Sequence, residues 1–277
     1  MLLIKRLFKF YINSSIHVAI AVVCLTGLTF LEFNVNINKD LLFFTFFATI
    51  TGYNFVKYYG MAKFYHRSLS KWLKEIQLFS FFSFIAMFYS AFSLSMKALL
   101  MILGLALLTF LYTIPFFPKN YIDKNTKNLR AISGLKIYII AMVWAITVVL
   151  FPLVEANYTI DNDVFITLMQ RFLFVIIIML PFEIRDMKSD SLKLLTIPQQ
   201  IGIKRTKQIG ILLLIIFFML EYFKDVLVLN SLYTLGVVCL ITLLFLIRSN
   251  INQGKYYSAF WVESIPVFWV LMHLILF

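Results

Sequence analysis

Three carboxylates, Glu183, Asp186 and Asp190, stand at spacing i, i+3, i+7 in the segment Pro181-Phe-Glu-Ile-Arg-Asp-Met-Lys-Ser-Asp190. On a helix this spacing puts all three on one face. Like charges converging on one face repel unless a cation sits among them, and at a helix C-terminus acids also oppose the macrodipole. Mg²⁺ suits such a face, because it takes one or two carboxylates and completes its shell with phosphate oxygens. The bland reading of the same residues is a set of solvated acids just past a helix end. Thr196-Ile-Pro198, Gly202 and the pair Lys204-Arg205 follow.

The elements that must position these acids are apolar helices. The chain has 277 residues, of which 62% are hydrophobic and 14% charged, with a mean hydropathy of +0.90. A soluble domain of this length carries far more surface charge. Runs long enough to cross a bilayer fall at about 13–33, 41–59, 76–95, 98–117, 136–154, 164–184, 208–223, 229–248 and 258–277. Each is near the ~20 residues that span ~30 Å of hydrocarbon. The expected fold is therefore all-α: a single transmembrane domain over 1–277 with about nine membrane helices. Inside loops at 60–75, 118–135 and 185–207 are expected to cap the site.

Charge sets the expected orientation. With the N-terminus in the cytoplasm, the inside segments hold 21 Lys and Arg and the outside segments only Lys39, Lys97 and Lys224. That asymmetry follows the positive-inside rule. The net charge of +12 thus reports topology. It argues against nucleic-acid binding, since no soluble basic domain exists to carry it. The first run is too long for a signal-peptide core and reads as a retained helix. Cys24 and Cys239 lie inside spans, where cysteine is a small apolar packing residue. The expected location is a cytoplasmic (inner) membrane, and the Lys-, Ile- and Asn-rich usage points to a bacterial source. No obligate protein partner is evident.

The inside segments hold the remaining unusual residues. Asn54, Lys57 and Tyr58 share a helix face at i, i+3, i+4. Lys63–Ile76 has apolar residues at helical period with Lys and Arg opposite, which reads as a surface-bound amphipathic helix, either a passive anchor or a lid. Tyr112 precedes Pro115 and Pro118, which end a helix. Lys119, Arg130 and Lys136 follow, suited to anions but also ordinary inside charge. Within the spans, Arg171, His17 and Glu263 are expensive and need partners or a polar cavity.

Together these segments resemble the UbiA superfamily of intramembrane prenyltransferases. Glu183-x-x-Asp186-x-x-x-Asp190 with Thr196-Ile-Pro198 and Gly202 is similar to the family's second Asp-rich motif. Tyr112, Pro115, Lys119, Arg130 and Gly134 resemble its loop between the fourth and fifth helices. The first motif departs: aligning Asn54 with its asparagine puts Phe55, Tyr58 and Ala62 where the family has aspartates.

The resemblance implies transfer of an isoprenyl group from a prenyl diphosphate to a lipophilic or aromatic acceptor at the cytoplasmic face, assisted by Mg²⁺. It assigns Glu183, Asp186 and Asp190 to the metal. Asp186, Asp190, Asn54 and Lys57 become catalytic candidates. Lys57, Lys119, Arg130 and Lys204 become diphosphate contacts, and Tyr58, Tyr112 and Glu263 line the pocket among membrane lipid. Because the first motif has lost its acids, a relative that binds or carries an isoprenoid lipid without chemistry is the alternative. A secondary transporter fits less well, since the polar residues crowd one face rather than the midplane.

Overall fold

The computed structural model describes residues 2–64, 71–114, 134–188 and 196–276, with backbone alone at 2 and 60–64. Every regular element among them is a helix. These are α1 (Leu2–Asn13), α2 (Ile16–Glu32), α3 (Lys39–Phe64), α4 (Lys71–Ala91) and α5 (Met96–Thr113). Next, α6 (Leu135–Ala145) runs through a π-helical turn (Ile146–Leu150) into α7 (Phe151–Glu155), and α8 (Asn162–Asp186) follows. Then come α9 (Ile197–Met219) with a 3₁₀ turn (Leu220–Phe223), α10 (Leu229–Arg248), a π-helical turn (Tyr257–Val262) and α11 (Ile265–Leu276).

The described parts of the apolar runs are largely helical. By length and apolarity, six described helical segments qualify as spans: α5, α6–α7, α8, α9 with its 3₁₀ turn, α10, and the π turn with α11. The bent pair α1–α2 makes a seventh if it counts as one crossing. Helices α3 and α4 are long but more polar; Asn54, Lys57 and three tyrosines lie in α3, and Lys71, Lys74 and Glu75 open α4.

Three local expectations change. The first run does not start a straight helix: α1 meets α2 at 55° through Ser14 and Ser15, with Ser15 left-handed at φ 63°. The proposed amphipathic helix over 63–76 lies partly outside the described residues, and its described part, Lys71–Ile76, is the start of α4 instead. There Leu73 and Ile76 are buried with Tyr58 and Phe10. The expected inside loop 185–207 is helical from Ile197, with a kink at Gly202, whose φ of 81° suits glycine.

The core lies where α2, α6, α8 and α11 meet. In α8 61% of the most apolar window is buried, against 17% in α5, so α8 is the axis of the bundle and α5 its rim. Helix starts follow local chemistry: Asp161 accepts Val164 N at 3.0 Å, and Asn38 Oδ1 accepts Leu41 N at 3.1 Å. Gly210 permits close packing, since a Cβ there would stand 2.6 Å from Leu246 and 2.7 Å from Leu180.

Arg171, only 1% exposed, is the most costly residue to hold in this core. Its guanidinium donates to Glu32 Oε2 at 2.6 Å and stacks 4.2 Å over the Trp269 ring. Beside it, Gln170 donates to Glu221 Oε2 at 2.8 Å, and Lys224 pairs with the same oxygen at 2.8 Å. This network ties α8 to α2, α11 and the 3₁₀ turn. Removing one member of a buried ion pair costs roughly 3–5 kcal/mol, because the other charge is left unpaired. Arg171→Met is therefore expected to lower the melting temperature in detergent sharply. Adding Glu32→Gln to the same chain should recover much of the loss, as read by thermal denaturation of both variants.

Candidate functional site

Helix α3 delivers its polar face to the break between α1 and α2. Asn54 is 3% exposed. Its Oδ1 accepts from Ser15 Oγ at 2.8 Å, and its Nδ2 donates to Ser14 O at 3.0 Å and Ser80 Oγ at 2.8 Å. Both amide protons are thus engaged. One turn on, Lys57 Nζ donates to Asn13 O at 3.1 Å and the Tyr58 hydroxyl donates to the same oxygen at 2.7 Å. A helix end leaves its last carbonyls unsatisfied, and these side chains supply the donors. The shared face was legible in the sequence. Its use differs: Asn54 and Tyr58, read as site residues, are buried supports of the break, and only Lys57 remains exposed.

The end of α8 divides its acids in a similar way. Glu183 is 2% exposed, and its Oε2 accepts from Ile197 N at 3.3 Å, at the first turn of α9. Gln199 folds back to accept Thr196 N at 2.9 Å. The Thr-Ile-Pro segment is thus a helix start, and Glu183 a buried carboxylate facing its positive end. Asp186 is half-buried and accepts from Arg185 Nε at 2.7 Å. Asp190 lies outside the described residues, as do Lys119 and Arg130. Lys204 is exposed on α9 just past the kink at Gly202.

Other charges interact in a way that the sequence did not reveal. Glu263, between the last π turn and α11, is within electrostatic reach of Lys57 and Arg185, and Lys57 is also within reach of Lys255. The loop before that turn is tied to α8, since Gln253 Nε2 donates to Pro181 O at 2.9 Å. Glu263 thus interacts with a charge on α3 and one on α8, and Lys57 also with Lys255. Tyr53 and Tyr11 approach the same carboxylate. His17 does not pair with Glu263. It is bonded to the Tyr11 hydroxyl at 2.7 Å and to Phe260 O at 2.9 Å.

Beside this group opens a cavity of about 490 Å³ between α3, α4, α5 and α6. Its walls are apolar, with Phe44, Phe84, Phe110 and Phe151 among them. Tyr112 is among its lining residues, and Tyr58 and Glu263 are not. Tyr53 and Trp144 also line it, and Trp144 Nε1 donates to the Tyr53 hydroxyl at 2.6 Å. Neither stood out from a sequence with 14 Tyr and 31 Phe. On α3 the lining runs from Phe44 to Val56, a depth of about 18 Å at ~1.5 Å per residue.

Among the described residues, no group of three or more His, Cys, Asp or Glu side chains could hold a metal ion. Asp186 suits Mg²⁺ in kind: a partly exposed carboxylate that can share an ion with phosphate oxygens. The α3 side does not, because it offers an engaged amide, an ammonium and a phenol. The structural role of Asn54 has a measurable consequence. Asn54→Ala takes the partner of the Ser15 hydroxyl and the side-chain donor to the Ser14 carbonyl, while Ser80 keeps its bond to Ile76 O; an unpaired buried group costs about 1–3 kcal/mol. A lowered melting temperature with an unchanged helical circular-dichroism spectrum is expected.

No family model matches the sequence, and no curated protein does so either. Solved structures do match. A UbiA homolog from Archaeoglobus fulgidus bound to GPP and Mg²⁺ superposes with a TM-score of 0.62 at 11% identity, over 97% of this chain and 99% of the other. A digeranylgeranylglyceryl phosphate synthase superposes with a TM-score of 0.58 at 16% identity, over 98% of each chain. Another structure of a UbiA homolog from A. fulgidus gives 0.51 at 12% identity, over 96% and 94%. The likeness over nearly the whole chain shows that this chain shares the fold of these UbiA homologs.

Proposed function

We propose that this chain is a membrane prenyltransferase of the UbiA kind, acting on a prenyl diphosphate at the charged end of the bundle. One observation carries the reading: an apolar cavity whose α3 wall runs about 18 Å, by the ~1.5 Å rise per residue, is lined by Tyr53, which interacts electrostatically with Glu263, itself in reach of Lys57 and Arg185. The expected substrate has that bipolar shape, a hydrocarbon tail on a diphosphate. At roughly 1.5 Å per carbon–carbon bond and four bonds per isoprene unit, that length suits about three units. The solved UbiA homolog with GPP and Mg²⁺ supports the same choice of ligand.

In this reading the tail lies between α3, α5 and α6, and the diphosphate faces Lys57, Arg185 and the end of α8. By the resemblance, Asp186 and Asp190 would hold Mg²⁺, which would supply positive charge to the departing diphosphate. The bond from the allylic carbon to the diphosphate oxygen breaks, and its electron pair leaves with the diphosphate. The acceptor's lone pair or π electrons form the new bond to that carbon, and the acceptor loses a proton. Lys57 and Arg185 stabilise the charge gathering on the diphosphate. Tyr53, Trp144 and Phe110 present ring faces to the developing cation. The apolar walls keep water away from it. The inside location of this end, on a cytoplasmic membrane, follows from the charge asymmetry.

A second reading, binding or carriage of an isoprenoid lipid without chemistry, is favoured by one specific observation. Asn54 and Tyr58, at positions matched to the family's first motif, serve the α1–α2 break. Purified protein with Mg²⁺ and prenyl diphosphates of two to four units, supplied with aromatic and lipid acceptors, separates the two. Diphosphate release that falls at least 100-fold in Asp186→Asn is expected. Tight binding with no release across all combinations would support the carrier reading instead.

The cavity makes its own prediction. Gly52 lies on its wall, and a Cβ there meets nothing within 4 Å. Gly52→Leu should keep the wild-type melting temperature while weakening prenyl diphosphate binding by tenfold or more, measured by calorimetry in detergent.

A further inference from the structure

The boundary between water and lipid can be read along α4. Its charges, Lys71, Lys74 and Glu75, open the helix, and beyond them it exposes Leu78, Phe81 and Phe82. Helix α1 packs where the one gives way to the other. Arg6 pairs with Glu75 at 2.6 Å, and the Phe10 ring meets Phe79 at 5.5 Å. On the other flank of α1, Phe8 meets Tyr256 at 5.0 Å and Phe260 at 5.3 Å, and Phe260 in turn touches the exposed Trp261. Tyr and Trp collect at the interface of a membrane, so these ring contacts mark the same level. Turned 55° from α2, α1 is held across that level instead of continuing the span.

Two faces of α1 stay uncovered. Leu3, Ile4 and Leu7 are each more than half exposed. They share one stripe with Tyr11, whose ring packs on His17 at the start of α2. The bare stripe is therefore the continuation of the face that docks on the bundle. Lys5 and Lys9, one turn apart, are exposed on the opposite face. Among the described residues neither makes a hydrogen bond or an ion pair, and Glu75 is engaged by Arg6. A helix with an aliphatic stripe and a basic stripe, set at the boundary of a bilayer, lies in the surface plane with its aliphatic side in the acyl chains. Phosphate-bearing anionic headgroups complement the basic side.

We propose that α1 is a membrane-surface helix that binds anionic phospholipid, with Lys5 and Lys9 on the headgroups and Leu3, Ile4 and Leu7 among the acyl chains. Arg6, taken by Glu75, fixes the helix to the bundle. The far end of α1 presents Asn13 O to Lys57 and Tyr58, so lipid bound at its start also steadies the α1–α2 break. The proposal needs only a membrane-spanning bundle and stands apart from the prenyl diphosphate reading.

Site-directed spin labelling tests it. Full-length protein with Cys24→Ala and Cys239→Ala carries one label, at Ile4→Cys or at Lys5→Cys, in nanodiscs of phosphatidylcholine with a rising share of phosphatidylglycerol. The label at position 4 should be reached by oxygen more readily than by a water-soluble nickel chelate, and the label at position 5 the reverse. Ready access of the chelate to position 4 would overturn the placement and point to a face kept in water for another protein. Phosphatidylglycerol should slow the motion of the label at position 4. Adding Lys5→Gln and Lys9→Gln to that chain should raise the phosphatidylglycerol needed for the same slowing at least fivefold, since each lysine near an anionic surface adds about that factor. Lys5→Arg with Lys9→Arg should respond as the unsubstituted chain does. An unchanged response in the glutamine variant would overturn headgroup binding by these two lysines.

Discussion

A polar side chain among apolar helices must find a partner, and in this protein that constraint decides which polar residues remain available for a ligand. Asn54 satisfies it completely: three hydrogen bonds at 2.8–3.0 Å fix it between the α1–α2 break and α4. The break sets the angle of α1, and α1 in turn brings Asn13 O to Lys57 and Tyr58. With Asn54 and Tyr58 buried in that arrangement, Lys57 is left as the exposed charge of α3. The same rule governs the other end of the bundle. Arg171 can sit at the axis only because Glu32 and the Trp269 ring receive it.

The two groups of charge are organised differently. The Arg171 network is closed: its acids and bases meet at 2.6–2.8 Å, and the members are buried or nearly so. The group around Glu263 holds one carboxylate against Lys57, Arg185 and Lys255, with cations exposed or half-exposed and a deep apolar cavity alongside. A closed, balanced network stabilises a fold. A cationic group with a carboxylate-bearing helix end and an adjacent hydrocarbon slot suits an amphiphilic anion.

Much of the architecture was legible in the sequence because the period and length of apolar runs are set by the bilayer. The described residues are almost all helical, as an all-α membrane bundle requires, and Glu183 and Asp186 lie at the end of the central helix. What could not be read were partners far apart in sequence. The contact of Asn54 with Ser14 and Ser15, about forty positions away, has no local signature. Glu183 looked like a metal ligand because its acceptor role toward Ile197 depends on a chain reversal after α8. Arg185 and Lys255 looked like ordinary inside charge, and only the docking of the 249–256 loop on α8 brings them into one group. Tyr53 and Trp144 were hidden among the aromatic residues of a membrane chain. The 65–70, 115–133 and 189–195 segments, which carry Lys119, Arg130 and Asp190, lie outside the described residues.

The central claim is that the cavity and the charged group beside it form one site for a prenyl diphosphate. An experimental structure of the protein with geranyl S-thiolodiphosphate and Mg²⁺ tests it most directly. The account predicts a hydrocarbon tail between α3, α5 and α6, passing Tyr53 and Trp144, with the diphosphate between Lys57, Arg185 and Asp186. A tail elsewhere in the bundle, or a diphosphate held away from Lys57 and the end of α8, would contradict it.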